Sequence, residues 1–259
     1  MWGEGHLVYL LDDKGKKHWL KLERGMVKVP SLGVIDAQRL IDAGDGAVIS
    51  LAGKDFVLLS PGVTDLMEAV ERGAQIITPK DAATILLELD LKNGDMVVEA
   101  GLGSGALTTA LLHAVAPSGN VISVELREDF ADKGRRNVAK SGAQRLWKLQ
   151  IGDIRIAELP HKADAVVLDM PDPWDAVENV RRFLRPGGRL CVYVPNTNQL
   201  ELVVKKMRAA GFVEVKALEN IQRAMEVHEM GVRPSYDMLG HTGYLAFGRL
   251  SAKYPTEKQ

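Results

Sequence analysis

The chain is short of several things that would have placed it quickly. It has one cysteine in 259 residues, so no disulfide can close within it, and a reducing, cytoplasmic setting is the expectation. That residue, Cys191, stands in Arg189-Leu190-Cys191-Val192-Tyr193-Val194 and reads as a buried strand position. No apolar run approaches the ~20 residues of a membrane helix. Met1-Trp2-Gly3-Glu4-Gly5-His6 lacks the basic start and apolar stretch of a signal peptide, so neither membrane nor export is expected. Charge of neither sign is in excess. The 33 Lys and Arg against 34 Asp and Glu leave a net charge of -1, so any RNA surface has to be a local patch. There are no internal repeats and no low-complexity segments, and no bound metal is expected.

What is present is the apolar complement of a globular protein, 46% of residues, enough for a full core. Residues 1–65 hold short apolar runs between turn signals, such as Leu7-Val8-Tyr9-Leu10-Leu11 before Asp12-Asp13-Lys14-Gly15. They read as a small, barrel-like β domain. From residue 66 strands and helices alternate to about residue 252, which predicts an α/β domain with a mostly parallel, Rossmann-like sheet. Thr78-Pro79-Lys80-Asp81 opens one of its helices, with Thr78 as N-cap and Pro79 at the first helical position. Residues 253–259 read as a loose polar tail.

The most informative segment is Val98-Glu99-Ala100-Gly101-Leu102-Gly103-Ser104-Gly105-Ala106-Leu107. An apolar strand ends in an acid, a glycine-dense turn follows, and a helix begins. Such a turn aims backbone N–H groups and a helix dipole at a ligand. Glu125 closes the next strand, where an acid can accept both ribose hydroxyls of an adenosine. Three features favour S-adenosylmethionine over a dinucleotide. The third glycine of the dinucleotide fingerprint is missing, since Ala106 or Leu107 occupies its place. Glu99 stands where a carboxylate would reach the cationic end of an amino-acid cofactor. Gly152-Asp153-Ile154 follows the third strand, where an acid suits the adenine amino group. Phe130, early in the next helix, would pack on the adenine or, more ordinarily, in the core.

The second informative segment is Ala165-Val166-Val167-Leu168-Asp169-Met170-Pro171-Asp172-Pro173-Trp174. A buried strand delivers Asp169 to the same sheet edge, and a rigid proline turn with an aromatic follows. An acid in this place can accept a hydrogen bond from an exocyclic amine, and the indole can stack on a base. For an adenine attacking through ring N1, positive charge develops across N1 and N6, and a fixed carboxylate stabilises it. N1 is unprotonated at neutral pH, so no strong base is required. Asp172 is a second candidate, a turn-forming aspartate being its plainer role. Core packing is the commoner role for Trp174.

These segments resemble the tRNA adenine-N1-methyltransferase family that acts at position 58 in the T-loop. The likeness extends over nearly the whole chain. It includes Gln75-Ile76-Ile77-Thr78-Pro79-Lys80-Asp81-Ala82, the Glu99–Gly105 loop, Asp169-Met170-Pro171-x-Pro173-Trp174, Arg233-Pro234 and His241-Thr242-Gly243-Tyr244-Leu245. The resemblance implies a Rossmann-like S-adenosylmethionine-dependent methyltransferase domain behind the small β domain. It implies tRNA as substrate and a homotetramer of the bacterial and archaeal type. It carries cofactor contacts onto Gln75, Glu99, Gly101, Gly103, Ser104, Gly105, Ala106, Leu107, Glu125, Phe130, Gly152, Asp153, Ile154 and Asp169. Asp169 also becomes the catalytic residue facing adenine, and Pro171, Trp174, Arg233 and His241 become candidate substrate contacts. Two positions depart: Thr78 stands where the family usually has an aromatic, and the stretch before Arg233-Pro234 carries Arg223-Ala224-Met225, where an aromatic commonly follows the arginine.

Local basic groups that would meet RNA are Lys133-Arg135-Arg136, Arg181-Arg182-Arg185 and Lys205-Lys206-Arg208. Some archaeal relatives also methylate adenine 57, which no residue here decides. Two other readings stand beside this one. A methyltransferase for protein isoaspartate or a small molecule would gain nothing from a fixed carboxylate at Asp169. A non-catalytic partner subunit would have a decayed cofactor loop, and this loop is intact.

Overall fold

The structure, a computed structural model, describes residues 2, 4–71, 76–159 and 162–253. It separates into two compact units, Met1–Leu66 and Met67–Gln259.

In the first unit, β1 (Leu7–Leu11), β2 (Lys17–Lys21), β5 (Val48–Leu51) and β6 (Lys54–Leu59) form an antiparallel sheet in the order β2-β1-β6-β5. β3 (Met26–Val29) and β4 (Gly33–Asp36) form a separate hairpin, followed by helix α1 (Ala37–Ala43). Alternating inward residues of both sheets share one core with Leu40 of α1, Leu10, Leu22 and Leu58 being fully buried. The expected barrel-like closure does not occur through hydrogen bonds, because β2 and β5 remain the two edges of the larger sheet. Helix α1 was not visible in the periodicity. It is two turns long and starts on the Asp36 carboxylate, which accepts from the Gln38 amide.

In the second unit, α2 (Val63–Glu68, begun in the first) and α3 (Pro79–Glu88) precede the sheet strands. These are β7 (Met96–Ala100), β8 (Asn120–Glu125), β9 (Trp147–Ile151), β10 (Ala163–Leu168), β11 (Leu184–Val194), β12 (Phe212–Glu219) and, beyond the exposed hairpin β13 (Met225–His228) and β14 (Gly231–Pro234), β15 (Tyr244–Leu250). The sheet order is β12-β15-β11-β10-β7-β8-β9. β15 alone runs against its neighbours, so the sheet is mixed rather than wholly parallel.

Helices α4 (Ala106–Val115), α5 (Glu128–Ala139), α6 (Val177–Phe183) and α7 (Thr197–Ala209) connect the strands. Val98, Val166, Leu168, Leu190 and Val192 face α6 and α7 in one core layer. The alternate residues Val97, Val167 and Cys191 point to the other face and are equally buried. Near-continuous apolar strands are what burial on both faces requires. The order reverses between β7 and β10, and ligands of doubly wound sheets bind outside the strand ends at such a switch point. Of the tail expected from residue 253, residues 254–259 lie outside the described residues.

Candidate functional site

At the switch point the backbones after β7 and β10 are joined: Gly101 N donates to Asp169 O (2.9 Å) and Asp169 N to Ala100 O (2.5 Å). The loop then turns sharply. Gly103 (φ +53°) and Gly105 (φ +78°) both take the left-handed region, and a Cβ on Gly105 would lie 3.0 Å from Val138 Cγ2. Gly105 starts α4, so the N–H groups of the first turn, Ala106 onward, have no partner within the helix. Ser104 is buried, and its carbonyl accepts from Asn137 Nδ2 (2.9 Å), which ties the loop to α5.

Glu125 faces this loop. Its Oε2 accepts from Leu102 N (3.0 Å) and Gly103 N (3.2 Å), and its Oε1 from Arg127 N (3.0 Å). A carboxylate offers about four acceptor positions, so the glycine loop and Glu125 hold each other in place with one position left. Gly152 N donates to the Glu125 carbonyl (2.9 Å), bringing the end of β9 alongside.

Glu99 overturns an expectation. It was placed against the cationic end of a cofactor, but its carboxyl is turned under α4. It is 1% exposed, and Oε2 accepts from Thr108 Oγ1 and Ser123 Oγ, both at 2.7 Å. Burial raises its pKa to about 8 against the pull of those two hydroxyls. Its Oε2 is thereby committed to bracing α4 against β8. Position along the strand is the reason: Glu99 lies within β7 under α4, whereas Asp169, on the same face, stands beyond the last residue of β10.

Asp153 is paired with Arg155, whose Nε lies 2.9 Å and Nη2 2.6 Å from the carboxylate. That guanidinium holds the acid below its ordinary range. Ile154 is buried, and its carbonyl accepts from Asn179 Nδ2 (2.8 Å). Phe130 is half-buried and not a core aromatic: the Arg127 guanidinium lies 4.2 Å and the Lys133 ammonium 5.7 Å from its ring centre.

Asp169 contrasts with Glu99, Glu125 and Asp153. Its backbone is fixed on both sides, yet among the described residues no hydrogen bond or ion pair reaches its carboxylate. Burial alone raises it to about 7. A carboxylate held without a partner at a switch point is a ready acceptor for an amine or a neighbour for a cation.

The turn beyond it is stiff. Asp172 is exposed in the left-handed region (φ +52°) and leads a single 3-10 turn, Pro173–Ala176. Its backbone places it as the turn former. Trp174 is half-buried against the α6–α7 core layer, and Pro171 is exposed. Arg233 lies on β14, paired with Glu226 and stacked 4.1 Å from the Tyr236 ring centre. His241 is committed at both nitrogens, Nδ1 to Glu219 Oε1 (2.7 Å) and Nε2 to the Pro195 carbonyl (2.9 Å). Two acceptors require both nitrogens to be protonated, and the Glu219 carboxylate raises its pKa. Several of the basic groups are neutralised locally, as Arg135 is by Asp132 (2.6 Å) and Arg181 by Glu178 (3.0 Å). Gln75 lies outside the described residues.

Sequence reasoning gave no role to Lys80, Asp81, Tyr193 or Thr242, which meet in a buried polar cluster. Thr78 begins α3 as expected, but its hydroxyl donates to Asp81 Oδ2 (2.9 Å) instead of receiving a backbone amide. A lysine beside an aspartate in the first turn of an apolar helix was the available signal. Among the described residues no helix is long and apolar enough to cross a membrane, and no three or more His, Cys, Asp or Glu side chains gather as metal ligands.

The chain is similar to known methyltransferases in sequence and in fold. The profile of the family described as the tRNA methyltransferase complex GCD14 subunit matches residues 64–233. The chain is 34% identical to the tRNA (adenine(57)-N(1)/adenine(58)-N(1))-methyltransferase TrmI of Methanocaldococcus jannaschii, over 93% of this chain and 94% of that one. It is 32% identical to the tRNA (adenine(58)-N(1))-methyltransferase TrmI of Thermus thermophilus, over 92% and 94%. Among solved structures, a SAM-dependent O-methyltransferase from Thermotoga maritima superimposes with a TM-score of 0.86 at 30% identity, covering 97% of this chain and 95% of that one. The tRNA (m1A58) methyltransferase TrmI of Aquifex aeolicus does so with 0.77 at 28% identity, covering 96% and 98%.

Proposed function

Because this chain belongs to the family of the tRNA methyltransferase complex GCD14 subunit, we propose that it transfers a methyl group from S-adenosylmethionine to N1 of adenine 58 in the tRNA T-loop. The observation that carries the reading is the unpartnered Asp169 carboxylate beside an intact glycine loop.

The residues present fit the cofactor. Glu125 keeps one acceptor position for a ribose hydroxyl, and Gly101, Gly103, Ser104, Gly105, Ala106 and Leu107 bring a helix N-terminus against the ligand. Gly152, Asp153, Ile154 and Phe130 form the adenine side. When bound, S-adenosylmethionine supplies an electrophilic methyl carbon on a sulfonium. Asp169 accepts a hydrogen bond from the N6 amine of the target base and so orients N1. The N1 lone pair would take the methyl carbon that the bound cofactor would supply, the sulfur keeping the electron pair of the bond given up. The base gains positive charge shared with N6, and the ionised Asp169 stabilises that charge as it grows. The site needs no base to activate N1.

Further parts of the reading rest on the chain's surface and on its relatives. A homotetramer is supported by the apolar exposure of the β13–β14 hairpin, where Val227 is 75% and Met230 98% exposed. Such a face is usually covered by a partner. The cytoplasm is the expected location of a tRNA-modifying enzyme. Methylation at adenine 57 as well is the activity named for the M. jannaschii relative.

The Thermotoga maritima likeness favours a second reading, transfer to an oxygen. Labelled S-adenosylmethionine and an unmodified tRNA transcript separate the two. The proposal expects one labelled base, mapped to adenine 58 and lost when that adenine is replaced. Absence of transfer to tRNA overturns it.

A further inference from the structure

We propose that Lys80, Asp81 and Thr242 form a clasp that positions the substrate half of the active edge and sets affinity for tRNA without touching the cofactor. This rests on the tRNA reading above.

The sheet order divides the edge at Asp169. The cofactor residues lie on the β7, β8 and β9 side, and β11, β15 and β12 lie on the other. On that second side the chain leaves the sheet after Glu219 and returns at Tyr244, and the excursion between carries β13 and β14. Strands spaced by ~4.8 Å put the end of β15, two strands from β10, roughly 10 Å from Asp169. That distance is within the reach of nucleotides flanking a base held there.

Both ends of the excursion are bolted to the first turn of α3. The Lys80 ammonium has three donors and uses all of them at 2.7 Å, on Asp81 Oδ1, the Asn220 carbonyl and Thr242 Oγ1. Thr242 Oγ1 in turn donates to Asp81 Oδ2 (2.7 Å), closing a ring around a carboxylate with no exposure. Asn220 Nδ2 returns a bond to the Lys80 carbonyl (2.9 Å).

The clasp also touches the sheet beside Asp169. Tyr193 donates its hydroxyl to the Thr242 carbonyl (2.5 Å). The register pairs Leu168 with Val192, so Tyr193 stands next to Asp169 on the same face. The Asp81 and Asp169 charges both act on the Tyr193 hydroxyl. A buried ion pair is a poor source of net stability but fixes one arrangement of the groups around it. Here the fixed object is the neck of the excursion.

The test uses the full chain with Thr242→Val, Thr242→Ser and Lys80→Met. Thr242→Val keeps shape and removes the hydroxyl, so it serves where Lys80→Met fails to fold. The expected result is a rise of about tenfold or more in KM for tRNA, with S-adenosylmethionine Kd within twofold of the parent. Faster amide exchange should be confined to 221–241, and Thr242→Ser should restore the parent values. Cofactor affinity falling in step with tRNA affinity, an unchanged KM, or failure of Thr242→Ser to restore it would overturn the clasp. Failure of the parent chain to methylate tRNA would instead overturn the reading beneath it.

Discussion

Two acids sit at the ends of neighbouring strands and share one physical condition, yet they differ in use. Glu99 on β7 and Asp169 after β10 lie on the same face of the sheet, two residues apart in register, and burial raises both carboxyls, to about 8 and about 7. Glu99 accepts from two hydroxyls that sit on α4 and β8. Among the described residues Asp169 accepts from none. Burial therefore does not mark the catalytic acid here; the missing partner does. A carboxyl that accepts from α4 and β8 holds a helix to a sheet, and one without such partners at the strand end waits for a ligand.

The largest effect should come from removing the unpartnered group. Asp169→Asn keeps size and loses the charge, and kcat for tRNA methylation should fall by about 10²–10³, the usual effect of losing one fixed electrostatic partner of a transition state. S-adenosylmethionine Kd, measured by calorimetry, should move far less.

Glu99 should break the other way. Glu99→Ala leaves two buried hydroxyls without their acceptor, at about 1–3 kcal/mol each, so the melting temperature should fall while kcat at a permissive temperature survives. Glu99→Gln keeps an acceptor and alters only the pH dependence of stability. The native carboxyl holds a proton up to about 8 that the unfolded chain gives up near 4.5. Stability from this group is complete below that lower value and is lost as pH rises through the upper one. Denaturant midpoints across this range should slope less in Glu99→Gln than in the parent.

Gly105→Ala probes the loop that stands between the two acids. A left-handed residue with a side chain costs about 1–2 kcal/mol, and the 3.0 Å approach to Val138 adds to that. Thermal unfolding should show the loss, with weaker cofactor binding. The smallest effect is expected at Arg155. Its pair with Asp153 is partly exposed, at 38% and 23%, and such pairs contribute about 0–1 kcal/mol. Arg155→Ala should leave the melting temperature nearly unchanged.

The layout of the second unit was legible because each strand there is an apolar run closed by a turn signal. The glycine loop and Asp169 were legible for the same reason: both follow directly from strand ends. Glu99 was misread because adjacency to the loop gives position in the chain, while its partners Thr108 and Ser123 lie on α4 and β8, which the local sequence does not bring together. The β13–β14 hairpin went unseen because neither strand has a buried face to impose a pattern. Lys80, Asp81 and Thr242 were beyond sequence reasoning, since their bonds join residues more than 160 positions apart. The motifs around them stood out, but nothing local said that they meet.

The central claim is that the free Asp169 carboxylate carries the transfer to adenine. The pH dependence of kcat/KM for an unmodified tRNA transcript tests it most directly, because kcat/KM reports ionisation in the free enzyme. The parent should gain activity as pH rises through an apparent pKa near 7, and Asp169→Asn should be slow and flat across the same range. The same limb in both proteins, or an Asp169→Asn rate within a few-fold of the parent, would contradict the account.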